Sequence, residues 1–103
     1  MATLSTHVLD TSRGRPAAGI EVRLESALGD VLGEGVTDAD GRVASLGGDL
    51  DPGAYVLRFD TGTYLGEAAF YPEVAVAFRI AADEHHHVPL LLNPFGYSTY
   101  RGS

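Results

Sequence analysis

The chain contains no cysteine and no lysine in its 103 residues. Without cysteine there is no disulfide, no thiolate nucleophile and no Cys-ligated metal, a composition that fits a reducing compartment. Without lysine, Schiff-base chemistry and lysine general bases are impossible. The seven basic residues are all arginines. A guanidinium keeps its proton at working pH, so their roles are electrostatic or forks of hydrogen bonds. Positive charge is scarce overall: the net charge is -7, which repels a phosphate backbone, and no basic stripe exists to offset it. No apolar run approaches the ~18 residues of a membrane span. The opening MATLSTHVLD has neither a basic nor an apolar leader segment, so no signal peptide is visible. A soluble cytoplasmic protein is expected.

Hydrophobic residues make up 45% of the chain, enough for one packed core, and residues 1–103 are expected to form a single domain. Period-two alternation dominates. Ile20, Val22 and Leu24 alternate with Glu21, Arg23 and Glu25. Tyr55, Leu57 and Phe59 alternate with Val56, Arg58 and Asp60, and Val74, Val76, Phe78 and Ile80 form a third such face. This is the pattern of strands with one dry side and one wet side. Turn signals separate them: Arg15-Pro16, Asp40-Gly41, Gly47-Gly48 and Asp51-Pro52-Gly53. The spacing predicts strands at 4–10, 19–27, 31–37, 42–46, 54–60, 74–81, 86–93 and 96–101, with a short helix within 61–69 ended by Pro72. The fold class is all-β: an eight-stranded, two-sheet antiparallel sandwich with one short helix.

Strand parity then decides which side chains can meet. In HHHVPLLLN, His86, Val88, Leu90 and Leu92 share a core-leaning face, while His85, His87, Pro89 and Leu91 share the other. Asn93-Pro94 turns the chain into a last strand whose Ser98 and Tyr100 can lie beside that second face. His7 and Leu9 can join it if the first strand pairs nearby. Pro89 lacks a ladder donor and marks an edge or bulge. Leu9, Pro89 and Leu91 make the face apolar, which points to self-association with histidines at its margin.

His87 is the functional candidate among the histidines, and His86 is structural on its core parity. A histidine pair can do acid–base work, since imidazole titrates near neutrality. His85 and His87 with His7 also leave open a three-histidine zinc site, although no carboxylate of matching parity supports those rings. Arg42, after Asp40-Gly41, is either a surface arginine or a fork for a planar, carbonyl-rich ligand. Ser98 is not in a nucleophile elbow and is expected to be a hydrogen-bonding wall residue.

STHVLD, TDADGR, FYPEV, HVPLLL and the closing PFGYSTYRGS resemble the transthyretin-like family along the whole chain. The closing Tyr100-Arg101-Gly102-Ser103 places the resemblance with its 5-hydroxyisourate hydrolases rather than its hormone carriers. Asn93 stands where that pattern usually has serine. The resemblance implies a homotetramer with active sites at the dimer–dimer interface, and catalytic roles for His7, Arg42 and His87. It also implies a substrate pocket formed by His7, Arg42, Ser98, Tyr100, Arg101 and Ser103, and no metal or organic cofactor. A non-catalytic small-molecule carrier, a structural sandwich module and a metal-dependent hydrolase are the alternatives.

Overall fold

The computed structural model describes all 103 residues. Nine strands form two sheets: β1 (Thr3–Asp10), β2 (Arg15–Pro16), β3 (Glu21–Ser26), β4 (Val31–Val36), β5 (Arg42–Val43), β6 (Gly53–Phe59), β7 (Val74–Ile80), β8 (His85–Asn93) and β9 (Gly96–Thr99). One sheet runs β2-β1-β8-β9, with β5 also on β1, and the other runs β4-β3-β6-β7. The eight expected strands are present. The ninth is the two-residue β2, read from sequence as a turn, which pairs with the end of β1 at Leu9 and Asp10.

The alternation seen in the sequence is the burial pattern of the strands. Leu4, Thr6, Val8 and Asp10 of β1 point inward, as do Val22 and Leu24 of β3 and Tyr55, Leu57 and Phe59 of β6. The apolar residues among them, together with Val88, Leu90 and Leu92 of β8, belong to a core of 17 buried apolar residues drawn from both sheets. Removing that area from water is the main favourable term in folding. The polar groups carried inside are satisfied: Thr6 Oγ1 donates to the Val88 carbonyl at 2.6 Å, and no buried side-chain polar atom lacks a partner.

Two departures from the expected strands have local causes. Residues 44–46 leave the regular ladder after β5, although the segment still follows β1, with the Leu46 N–H donating to the Leu4 carbonyl at 3.0 Å. The pairing of β1 with β8 is parallel, from Thr3 opposite His85 to Asp10 opposite Leu92. Almost the whole chain connects these two strands, which leaves room for the crossover that parallel strands require. The predicted helix forms as α1 (Thr61–Leu65), capped by the Asp60 side chain, and continues as a 3₁₀ turn over Gly66–Ala68. Gly66, at φ 70°, ends the α-helix before Pro72 is reached. No helix is long and apolar enough to cross a membrane.

Candidate active site

β1 carries the site because both of its edges are occupied. Across one edge His7 is paired with Arg42 of β5, and across the other it is paired with Pro89 of β8. Two residues along, Ser5 is paired with His87. Alternate residues of β1 and β8 fill the core, so Ser5, His7, His87 and Pro89 share the outer face of the sheet. His7 and His87 are half-buried there and Arg42 is exposed. The three groups named from the sequence are therefore neighbours on three adjacent strands.

The turn before β5 sets Arg42 in place. Asp38 Oδ1 accepts from the backbone N–H of both Asp40 and Arg42 at 2.9 Å, an arrangement that closes a tight turn. Gly41 sits at φ 75°, and its carbonyl accepts from the Val8 N–H at 2.7 Å. A β-carbon at Gly41 would collide with the Val8 carbonyl oxygen, so only glycine lets the turn lie this close to β1. The Arg42 guanidinium takes part in none of the ion pairs of the protein. Its fork is free for a ligand.

His87 is held from both sides. Its Nδ1 lies 2.7 Å from Ser5 Oγ. On the opposite side Gly102 packs against the ring, and its N–H donates to the His87 carbonyl at 2.8 Å. Ser5 Oγ also lies 2.8 Å from His85 Nε2, and His85 Nδ1 lies 2.6 Å from Thr3 Oγ1. Partial burial first, then the nearby charges of Arg42, His7 and His85, pushes His87 below the usual imidazole range. A ring in that condition is neutral at pH 7, with a lone pair available to accept a proton. His86 is 6% exposed on the core side and bonds through Nδ1 to the Glu84 carbonyl, as its parity requires.

The chain end differs from its expected form. β9 stops at Thr99 rather than 101, and an isolated bridge from Gly102 to His87 follows. Pro89 explains the gap. The carbonyl of His87 faces the tail, so two residues on the Pro89 nitrogen faces it too, and proline has no N–H to give. Pro89 is thus paired with His7 of β1 on one side and faces a break in the β9 ladder on the other, a locally unpaired position that suits its missing donor. It is also buried, and Leu9 and Leu91 are half-buried, so the exposed apolar strip read from parity is absent.

Ser98 shares the outer face but is paired with Leu91. That is four residues from His87, about 13 Å along the strand, so Ser98 does not stand beside His87. Tyr100 and Arg101 line a cavity of about 310 Å³ with His86, His87 and Val88. Arg101 is ion-paired with Glu84 at 2.7 Å, and Ser103 follows the Gly102 bridge. No group of three or more His, Asp or Glu side chains is arranged to hold a metal ion. His85 in particular has both ring nitrogens engaged by Thr3 and Ser5.

The residues missed from sequence are Ser5, Thr3 and Gly102. Thr3 and Ser5 lie at the parity of His7 in ATLSTHVLD, and that spacing was the available signal. What was missing was the parallel register of β1 on β8.

A family model described as the HIUase/Transthyretin family matches residues 4–102. The 5-hydroxyisourate hydrolase of Salmonella dublin is 46% identical, covering 97% of this chain and 80% of that protein. The solved structure of Klebsiella pneumoniae 5-hydroxyisourate hydrolase superposes with a TM-score of 0.92 at 42% identity, covering 100% of each chain. The transthyretin of Sparus aurata superposes with a TM-score of 0.86 at 30% identity, covering 96% of this chain and 95% of that one. With its sheet order, its paired His7 and Arg42, and a family match along nearly its full length, the chain belongs to the HIUase/transthyretin family.

Proposed function

We propose that the protein is a hydrolase that opens 5-hydroxyisourate to 2-oxo-4-hydroxy-4-carboxy-5-ureidoimidazoline. The observation that carries this function is the convergence of His7, Arg42 and His87 on one sheet face, in a chain whose full-length relatives are named for that activity. Water adds to the C6 carbonyl carbon, the N1–C6 bond breaks, and N1 takes a proton. Neutral His87 accepts the proton from water through Nε2, since its Nδ1 is occupied by Ser5. Such a step is worth ~10²–10⁴-fold. Arg42, unpaired in the protomer, binds the flat carbonyl-rich ring and stabilises the oxyanion that forms at C6. His7, opposite Arg42, orients the water and assists the leaving nitrogen. Tyr100, Arg101 and Ser103 bound the pocket around His87. No step calls for a metal, so a chelator is expected to leave the rate unchanged.

His7 and Arg42 stand on the outer sheet face, and neither lines the cavity beside Tyr100 and Arg101. Enclosing a flat heterocycle takes a second surface. In this proposal a further copy of the chain supplies it, in a homotetramer with active sites at the dimer–dimer boundary. Ultraviolet decay of freshly prepared 5-hydroxyisourate tests the activity. The wild type is expected to accelerate it, and His7→Asn, Arg42→Ala and His87→Asn to lose most of that acceleration. A wild type no faster than buffer rules out the enzyme. Variants at the wild-type rate rule out the site. A monomer by analytical ultracentrifugation rules out the shared site.

A further inference from the structure

His87 ends a hydrogen-bonded row whose other members, Thr3, His85 and Ser5, have no assigned part in the reaction. Its contacts are short and continuous. Thr3 Oγ1 to His85 Nδ1 is 2.6 Å, His85 Nε2 to Ser5 Oγ is 2.8 Å, and Ser5 Oγ to His87 Nδ1 is 2.7 Å. Two strands in parallel register build the row, because Thr3 is paired with His85 and Ser5 with His87. It runs from half-buried His87 to exposed His85.

A serine hydroxyl carries one proton and two lone pairs. Of the two imidazole nitrogens that meet at Ser5 Oγ, at most one can accept that proton, so the other donates to the oxygen. Three arrangements of neutral rings satisfy the row. In one, His87 Nδ1–H donates to Ser5, Ser5 donates to His85 Nε2, and His85 Nδ1–H donates to Thr3. His87 Nε2 then bears the free lone pair. In the second, Thr3 donates to His85 Nδ1, and both His85 Nε2–H and His87 Nδ1–H donate to Ser5 Oγ, which again leaves His87 Nε2 an acceptor. In the third, Thr3 donates to His85 Nδ1, His85 Nε2–H donates to Ser5, and Ser5 donates to His87 Nδ1. His87 Nε2 then carries a proton. A proton on His85 Nδ1 therefore fixes His87 Nε2 as an acceptor, whereas a proton on His85 Nε2 opens the state in which His87 Nε2 is a donor.

We propose that His85 is a positioning residue for the hydrolytic reaction, acting through Ser5 to set the tautomer of His87 and to take up the proton that His87 removes from water. The proposal rests on the hydrolase function above. The proton balance closes. His87 Nε2 gains a proton from water. His87 Nδ1–H passes to Ser5 Oγ as the Ser5 proton passes to His85 Nε2. His85 becomes the imidazolium, with its two N–H groups on Ser5 and Thr3, and His87 is left neutral with a proton on Nε2. That proton is placed for the departing ring nitrogen. The charge has moved from a ring beside Arg42 and His7 to one at the exposed end of the row. On the tail side His87 meets Gly102 and Arg101, and Arg101 is already held by Glu84 at 2.7 Å.

The test combines kinetics with ¹⁵N NMR of the histidine rings in the intact protein. Ser5→Ala and His85→Ala are each expected to lower kcat about tenfold or more with little change in KM, the usual scale for losing a ring-orienting partner. The double variant is expected to lose no more than the worse single one, because the two act as one path. Ser5→Thr, which keeps the hydroxyl, is expected to restore most of the rate. In His85→Ala the acid limb of the rate profile moves to higher pH, since a positive neighbour of His87 is gone. In the wild type the Nδ1 and Nε2 resonances of His87 shift when His85 is removed. Multiplicative losses in the double variant, or His87 resonances indifferent to Ser5→Ala, overturn the proposal. A wild type without hydrolase activity overturns the function instead, and the NMR comparison still decides whether His85 governs the His87 tautomer.

Discussion

The α-carbon of Gly102 lies against the ring of His87, so close that a β-carbon there would stand 2.6 Å from the ring Cδ2. The C-terminal tail is thus one wall of the histidine's seat. Gly102→Ala is expected to push the ring out of line with Ser5 and to lower kcat/KM about 10- to 100-fold, the cost of a misplacement of about an ångström. The melting temperature should change little, because the tail is largely exposed. Ultraviolet kinetics and a thermal melt on the same sample check both halves. A variant with the wild-type rate would remove Gly102 from the site.

Gly41 is the corresponding support for Arg42. Its φ of 75° and its contact with the Val8 carbonyl leave no room for a side chain. Gly41→Ala is expected to destabilise the protein by about 1–3 kcal/mol through backbone strain and to reduce activity by shifting Arg42 away from His7. Urea midpoints measure the first effect. Retained stability would show that the turn can back away from β1 at no cost.

Asp10 contributes to the pH dependence of stability. It is 1% exposed. Burial works to raise its carboxyl, but hydrogen bonds from the Ser12 and Tyr64 hydroxyls and from the Arg13 and Ser12 backbone outweigh this and hold it below the usual range. A carboxyl depressed in the folded state adds stability above its unfolded value of about 3.9 and loses it as the pH falls through the folded value. Asp10→Asn is expected to cost about 1–3 kcal/mol at pH 7. The gap from wild type should narrow below about pH 4. A gap that persists unchanged in acid would mean the Asp10 charge contributes nothing.

His87 acts in the same direction, at higher pH. Its folded value is depressed by burial and by Arg42, His7 and His85, so the unfolded chain takes up this proton at higher pH than the folded one. As the pH falls below about 6.5, stability is lost until the folded ring also protonates. The acid limb of kcat/KM, which reports the free enzyme, is expected below that same value. Arg42→Ala removes one repelling charge and should move the limb upward. A limb that stays in place would separate His87 from Arg42 electrostatically.

Much of this architecture follows from the amino-acid sequence because strand burial has a period of two. Ile20 to Leu24, Tyr55 to Phe59 and Val74 to Ile80 declare their inner faces by alternation alone, and the same rule sent His86 inward and His87 outward. The absence of lysine and cysteine narrows the polar chemistry to imidazole, guanidinium and hydroxyl groups before any fold is considered. The motifs around His7, Arg42 and His87 mark these residues locally. What parity cannot supply is register, since a shift between strands leaves each strand's own pattern intact. Only the tertiary structure placed Ser5, rather than Ser98, beside His87, because only there does β1 lie parallel on β8 with Thr3 opposite His85. Only it placed Pro89 opposite His7, at the point where the facing tail leaves the ladder. Local pattern decides which way a side chain points, and the pairing of segments 80 or more residues apart decides what it meets.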